Sequence, residues 1–298
     1  MLEKFLQYIQ YEKKFSSHTV LSYKTDIKQF TQFLENEEIH AEIETVTADE
    51  IRLWLVYLMD KKKSEPTSVC RKLSSLKSFY RFLLKNKLVK KNPTVGVVAP
   101  KKKNRLPNYF SEKEMNAELL HKVTEKETEF ETLRNDLIIE LLYQTGMRRA
   151  ELTALKDKNV DFYRKTIKVF GKRRKERIIP LGKNILDEIL NYIEIRNKII
   201  IPQDNNLFLL KNGKQMYDKA VYLVVEKRMG EVSTLEKHSP HILRHTFATT
   251  MLNNGAELNA VKELLGHSSL ASTQIYTHAT FAELQKIYRQ AHPRAEKK

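Results

Sequence analysis

The chain has 298 residues, 53 Lys+Arg against 37 Asp+Glu for a formal charge of +16, 41% hydrophobic residues, 8 Gly and 8 Pro. That apolar fraction can fill two ordinary cores and excludes a disordered or fibrous chain, and the single cysteine, Cys70, excludes an internal disulfide. Nothing in the sequence has the pattern of a zinc cluster, and no stretch approaches the roughly 18 apolar residues of a membrane span; the expectation is a cytoplasmic protein with no membrane partner.

From the N-terminus, Leu2, Phe5, Leu6 and Ile9 share one helical face. Val20, Tyr23, Ile27, Phe30 and Leu34 repeat the pattern after the cap candidates Ser16 and Ser17. Thr47 followed by Glu50 is a capping box opening a third helix, with Ile51, Trp54, Leu55 and Leu58 on its buried stripe. A fourth begins near Pro66 and runs through Leu73, Leu76, Phe79, Tyr80 and Leu83. Short connections predict a small helical bundle over residues 1–89. Ser68, Arg71, Lys72, Ser75, Lys77, Ser78 and Arg81 give the fourth helix a run of phosphate donors, so it is the expected helix to lie along a nucleic-acid backbone.

Residues 90–110 lose helical periodicity, hold three prolines, keep the positive charge through Lys101, Lys102 and Lys103, and read as a basic linker. A second domain, 111–298, opens with the capping box Ser111 and Glu114. Its apolar helix Leu137–Tyr143 stops at Gly146, and a short helix through Glu151, Leu152 and Leu155 follows. Thr166–Phe170 and Arg177–Leu181, joined by a basic turn, predict a hairpin, and Asn206–Leu210 a third strand. The remainder is helical, with Ser239 as N-cap, Pro240 in the first position and Gly255 as a stop. The fold class is therefore mainly α with a small β-sheet.

Charge follows these divisions. Residues 1–60 carry 6 Lys+Arg and 11 acids, 61–104 carry 14 and 1, and 164–177 carry 8 and 1. Two short segments thus hold a net +20 while the rest of the chain is at −4. Positive charge this concentrated suits a polyanion, whose neutralised phosphates release condensed counterions. The alternatives are a merely solvated basic surface or an anionic membrane, though the basic stretches include turn-like and strand-like sequence as well as helix.

The stretch SPHILRHTFATTMLNNG at 239–255 sets His241 and Arg244 three apart at the positive end of a helix, a corner that binds an anion. His241 and His245 also have the spacing of a zinc pair. The stretch lacks the intervening Glu and a third ligand, and Arg244 would repel a cation, so no metal is expected. Farther on, His267 follows Gly266, and Tyr276 stands among Gln274, Thr277 and His278.

These residues carry a resemblance. TGMRRAEL at 145–152, GKRRKERIIPLG at 171–182, HILRHTFAT at 241–249, LLGHSSLASTQIYTH at 264–278 and AHPRA at 291–295 resemble, in order, the tyrosine recombinases of the phage integrase family, most closely the bacterial Xer type. The likeness covers nearly the whole chain. It implies an α-helical, SAM-like core-binding domain, a mixed α/β catalytic domain with a C-terminal tail from about 280, and no cofactor.

The resemblance further implies Arg148 and Arg244 as the catalytic arginines, His241 and His267 as the histidines, Lys172 as the lysine and Tyr276 as the nucleophile. Glu151 matches the family acid that holds the first arginine. Two guanidiniums form a permanent clamp for a phosphodiester in its transition state, and a tyrosine nucleophile stores bond energy in a phosphotyrosine. Arg173 and Arg174 stand where the family commonly has a small or flexible pair, so Lys175 is the alternative lysine, and all three are expected DNA contacts. The implied partners are a duplex recombination site and, in a tetramer, further copies or a sister recombinase, with a DNA translocase as regulator and Phe281–Arg294 docking on a neighbour or packing in its own domain. The implied biological task is resolution of chromosome dimers before cell division. A mobile-element integrase, a type IB topoisomerase and a non-catalytic DNA-binding protein of the same fold are the alternatives.

Overall fold

Apolar residues recurring every three or four positions turn most of the first 85 residues into helix: α1 (Leu2–Gln7), continued by a π-helical turn over Tyr8–Glu12, then α2 (Ser17–Asn36), α3 (Ala48–Asp60) and α4 (Pro66–Lys85). In this computed structural model the described residues are 1–39, 42–101, 108–115, 127–171, 176–266 and 278–295. The chain divides into two units, Met1–Arg105 and Leu106–Lys298.

In the N-terminal unit, Ser16 rather than Ser17 caps α2 by accepting the amide of Thr19, and Thr47 and Glu50 close the start of α3 reciprocally. The stripes expected from spacing meet in one core, where Phe30 packs edge-on against Trp54 at 5.1 Å and Phe5 against Phe79 at 5.2 Å. Each such side chain contributes about 1.5–3 kcal/mol on burial. The stretch 90–101 is not a free tether: Val97 and Thr94 are buried, the Lys77 ammonium donates to the Val97 carbonyl at 3.3 Å, and the Cys70 thiol donates to the carbonyl of Pro100.

One acid lies inside this bundle. Asp26 falls on the apolar stripe of α2, three residues after Tyr23 and four before Phe30, and is fully buried. Its carboxylate accepts both terminal nitrogens of Arg71, the Lys72 ammonium at 3.2 Å and the Ser75 hydroxyl at 2.7 Å. A buried carboxylate is tolerable only when paired and fully hydrogen-bonded, and these four donors satisfy it.

The C-terminal unit is built on α5 (Glu129–Thr145), capped by the reciprocal pair Thr128 and Glu131 and buried over most of its surface. It packs between α7 (Lys183–Ile199) and α9 (Pro240–Asn253). Gly146 ends α5 at φ +57°, a left-handed conformation; a Cβ there would lie 2.6 Å from the Phe247 ring. The short α6 (Arg149–Thr153) follows, and then an antiparallel sheet ordered β1 (Val160–Asp161), β2 (Thr166–Phe170), β3 (Glu176–Pro180). Register is set by Ile167↔Ile179 and Val169↔Arg177, so the hairpin forms one residue earlier on its second strand than expected.

The third strand expected at Asn206–Leu210 does not join this sheet; Val160–Asp161 takes that place. The turn Lys211-Asn212-Gly213 folds the segment back, so that Leu210 donates to Lys214 and Met216 to Phe208, while Leu207 donates to Leu155. The backbone groups are thus satisfied by isolated bridges rather than by a ladder. Helix α8 (Asp218–Val232) precedes α9, which starts at Pro240 with Ser239 before it, although the Ser239 side chain makes no capping bond. Ser111 and Glu114 form their reciprocal bonds, but the helix they would open lies outside the described residues. α10 (Leu258–Leu265) ends in Gly266 at φ +66°.

The last helix, α11 (His278–Ala291), packs within its own unit. Leu284, Tyr288 and Ala291 belong to the C-terminal core, and the His292 ring stacks on Tyr288 at 5.3 Å and on Phe247 at 5.6 Å. His292 accepts the Arg294 amide at Nδ1, so its Nε2–H points at the Tyr143 carbonyl. Arg294 pairs with Glu140 and donates to the carbonyl of Met115.

Burial, opposed by the hydrogen bond to Tyr143 and assisted by Arg294, pulls the His292 imidazole down to about 3, whereas in the unfolded chain it protonates near 6.5. Its contribution is complete above the unfolded value and drains away as pH falls toward the folded one. Urea unfolding should show the C-terminal unit losing about 2 kcal/mol between pH 7 and pH 5, a loss that His292→Phe removes; equal slopes for the two proteins would refute it. In the N-terminal unit, Asp26→Ala strands Lys72 and Arg71 and should cost about 3 kcal/mol. Trp54, the only tryptophan, reads that transition by fluorescence, and an unchanged midpoint would mean Asp26 holds nothing in place.

Candidate active site

The site begins where α5 ends. Gly146 turns the chain, and Arg148 becomes the N-cap of α6 in an extended conformation, φ −76° and ψ 149°. Glu151, one turn on, reaches back to accept the Arg148 amide at Oε2 and its guanidinium at Oε1, both at 2.8 Å. Arg177, at an inward position of β3, donates to the same two oxygens, Nη1 to Oε1 at 3.0 Å and Nη2 to Oε2 at 2.7 Å. The carboxylate is 5% exposed and takes two N–H donors on each oxygen.

Three guanidiniums also converge on the C-terminal end of α10. Arg177 Nε donates to the Leu264 carbonyl at 2.8 Å, Arg244 Nη2 to Leu265 at 2.7 Å, and Arg148 Nη2 to Gly266 at a long 3.5 Å. Arg244 Nη1 donates in addition to the Gly146 carbonyl at 2.6 Å. Carbonyls at a helix C-terminus carry partial negative charge and have no partner within the helix, so cations are their natural caps.

The electrostatics leave the cluster cationic. Burial raises the Glu151 carboxyl, but the hydrogen bonds and charge of Arg177, then those of Arg148, outweigh it and the net shift is downward, so Glu151 is ionised. Arg244 is brought down to about 10 by burial and by the charges of Arg148 and Arg177, with Glu151 opposing; it stays protonated at neutral pH. Three guanidiniums are thus balanced by one carboxylate among the ion pairs of the described residues. Arg148 keeps 43% of its side chain exposed. Such a cluster is stabilised by an incoming anion, and a phosphodiester that gains charge in its transition state gains most.

His241 stands exposed in the first turn of α9, three residues before the buried Arg244, and His245 is held down by burial and by His241. Among the described residues no three His, Cys, Asp or Glu side chains converge on a metal position. Lys172, Arg173, Arg174 and Lys175, between β2 and β3, and His267 and Tyr276, after Gly266, lie outside the described residues.

The candidate nucleic-acid face of α4 divides into two groups. Arg71 is half exposed but bonded to Asp26, and Lys72 is 12% exposed, its ammonium bonded to Asp26 and Gln29; both are turned into the bundle. Arg81 and Lys101 are exposed and Lys77 is partly so, whereas Lys102 and Lys103 lie outside the described residues.

Sequence reasoning missed two groups that organise these surfaces, Asp26 and Arg177. Each was detectable as a charge at an inward position of an amphipathic element: Asp26 on the stripe of α2, Arg177 two residues from Ile179 on the covered face of β3.

The profile of the phage integrase family matches residues 108–283, and that of the phage integrase N-terminal SAM-like domain matches residues 2–87. The chain is 39% identical over 318 residues to the tyrosine recombinase XerC of Chlorobaculum parvum, covering 99% of this chain and 94% of that protein. It is 40% identical over 297 residues to the XerC of Staphylococcus aureus, covering 99% and 97%. Its fold resembles that of the XerH site-specific recombinase bound to a palindromic difH substrate, with a TM-score of 0.72 at 21% identity over 97% of this chain and 83% of that one. Both domain profiles are matched in order and the relatives extend over nearly the full length: the chain belongs to the phage integrase family and is a site-specific tyrosine recombinase.

Proposed function

We propose that Arg148 and Arg244 hold the scissile phosphate of a DNA recombination site while Tyr276 attacks it. The observation that supports this reading is the cluster of three guanidiniums against one carboxylate, with Arg148 anchored by Glu151 yet still open to solvent. In the attack, the Tyr276 oxygen forms a bond to phosphorus as the bond to the 5′ oxygen breaks. The phenol proton passes to His241, and Lys172, with Lys175 as its alternative, protonates the departing 5′ oxygen. His267 donates a hydrogen bond to the phosphate. The resulting 3′-phosphotyrosyl bond conserves the phosphoester energy, so the 5′ hydroxyl of a partner strand reseals it without ATP.

The same reading makes a Holliday junction the intermediate between two rounds of strand exchange, in a tetramer of this chain alone or with a sister recombinase. Its task is resolution of chromosome dimers in the cytoplasm before cell division, under the control of a DNA translocase. A relationship to XerC proteins along 94–97% of their length supports this task over that of a mobile element. No helix among the described residues is long and apolar enough to cross a membrane. Arg81, Lys77 and the lysines at 101–103, with Arg173 and Arg174, are the proposed phosphate contacts outside the catalytic pocket; Arg71 and Lys72 contribute after their bonds to Asp26 are met.

The test is a nicked duplex carrying a candidate site, which traps the covalent complex when the short fragment bearing the freed 5′ hydroxyl diffuses away. Wild type should give a denaturation-resistant adduct and Tyr276→Phe none. Arg148→Ala and Arg244→Ala should each slow its formation by about 100- to 1000-fold, while DNA affinity changes little and stays steeply salt-dependent. As much adduct from Tyr276→Phe as from wild type would overturn the nucleophile assignment, and relaxation of supercoils without recombinants would point to a type IB topoisomerase.

A further inference from the structure

Arg177 has no part in the chemistry just described, yet it is the most fully engaged of the three arginines. Its side chain is 5% exposed, and Nε, Nη1 and Nη2 each donate one hydrogen bond, to the Leu264 carbonyl and to the two oxygens of Glu151. No face of it is left to meet a substrate. Opposite it, Gly266 is tightly placed: a Cβ there would lie 3.2 Å from both Cδ and Nη1 of Arg177, and its φ of +66° strains any other residue.

We propose that Arg177 is a positioning residue for the phosphate clamp, fixing Arg148 through the carboxylate that they share and tying β3 to the end of α10. Lone pairs on Glu151 are the limiting resource. Each Glu151 oxygen accepts one N–H from Arg148 and one from Arg177. With Arg177 in place the carboxylate is saturated, so Arg148 can spend only one arm on it, and its Nη2 is turned toward Gly266 and solvent. Without Arg177, one acceptor site on each oxygen of a buried carboxylate falls vacant, and Arg148, whose first arm already bonds Oε1, has a second arm able to take the vacancy on Oε2. The guanidinium would then close on Glu151 in a two-armed pair and withdraw from the position in which it meets a phosphate. Arg177 therefore competes for the carboxylate and, by winning part of it, keeps Arg148 available.

The same side chain links elements that are distant in sequence. β3 leads back to the 172–175 segment that carries the proposed lysine, Glu151 stands on α6, and Leu264 is two residues before Gly266 on α10. Leu264, Leu265 and Gly266 each receive a different arginine, so the end of α10 is held against both members of the clamp by a third residue that belongs to neither.

This inference rests on the proposed role of Arg148, and the experiment separates the two. Full-length wild type, Arg177→Met, Arg177→Lys, Glu151→Gln and the Arg177→Met/Glu151→Gln double variant are compared on the nicked duplex, with DNA affinity and single-turnover adduct rate measured apart. Arg177→Met should slow adduct formation by about 100-fold, the size of effect produced by misplacing a reacting group by 1 Å, while the Kd for DNA stays within about threefold. Arg177→Lys, which keeps one charged donor beside Glu151, should recover part of the rate. Because the vacancy on Glu151 is the cause, adding Glu151→Gln to Arg177→Met should cost less than the product of the two single effects. An Arg177→Met protein that forms adduct at the wild-type rate overturns the inference, as does a parallel fall in affinity, rate and melting temperature that Arg177→Lys does not reverse. No adduct from wild type would instead overturn the active-site reading, and the inference with it.

Discussion

Three guanidiniums within mutual reach repel one another, and the C-terminal unit keeps them together by dividing their charge between one buried carboxylate and the final carbonyls of a helix. Glu151 takes two donors on each oxygen, and Leu264, Leu265 and Gly266 take one guanidinium apiece. Much of the unit's architecture serves this division. The left-handed turn at Gly146 delivers Arg148 and offers the carbonyl that receives Arg244, the hairpin brings Arg177 inward, and the left-handed Gly266 lets the end of α10 approach. Repulsion left over in the cluster makes it a place where an incoming anion would be stabilised.

The N-terminal unit handles charge by a related device with another outcome. Asp26 lies where the core of the bundle would otherwise be apolar, and it draws Arg71 and Lys72 down from the surface of α4. The basic stretch 61–104 is therefore less uniformly available than its composition suggests. Part of its charge fastens α4 to α2, and part, at Arg81 and Lys101, faces outward. A helix pinned by a buried ion pair presents its outward cations with less loss of freedom than a chain of unanchored lysines would.

Whatever depends on period and on short-range capping was legible from the residues alone. The stripes of α2, α3 and α4, the stop at Gly146, the entry at Pro240 and the hairpin all follow from spacing, caps and the left-handed tolerance of glycine. Arg148, Arg244 and Glu151 were singled out through their motifs, whereas Arg177 was not. Long-range partnership was not legible. Arg177 joins residues 26 and 87 positions away, and Asp26 joins residues 45 to 49 positions away, distances over which no periodic signal operates. The segment 206–210 has the composition of a strand, but its neighbours in space are Leu155 and the turn at 211–213, and no rule of composition names a strand's partner. The tail was ambiguous for the same reason: Leu284 and Ile287 define an apolar face, while only the burial of Leu284 and Tyr288 in the core and the contacts of His292 with Tyr143, Phe247 and Tyr288 show that the face is covered within the unit.

Where the arginines lean on peptide carbonyls, the acceptor belongs to every amino acid alike. A substitution at Leu264 or Leu265 that preserves the helix and its packing changes the side chain but leaves the oxygen where Arg177 and Arg244 expect it. The cluster is in that respect insulated from mutational drift along the last turn of α10, with Gly266 the exception because its left-handed conformation and its closeness to Arg177 make a side chain there costly. Genetic fragility is concentrated instead in Glu151, the one acceptor of the cluster that a single codon change can remove.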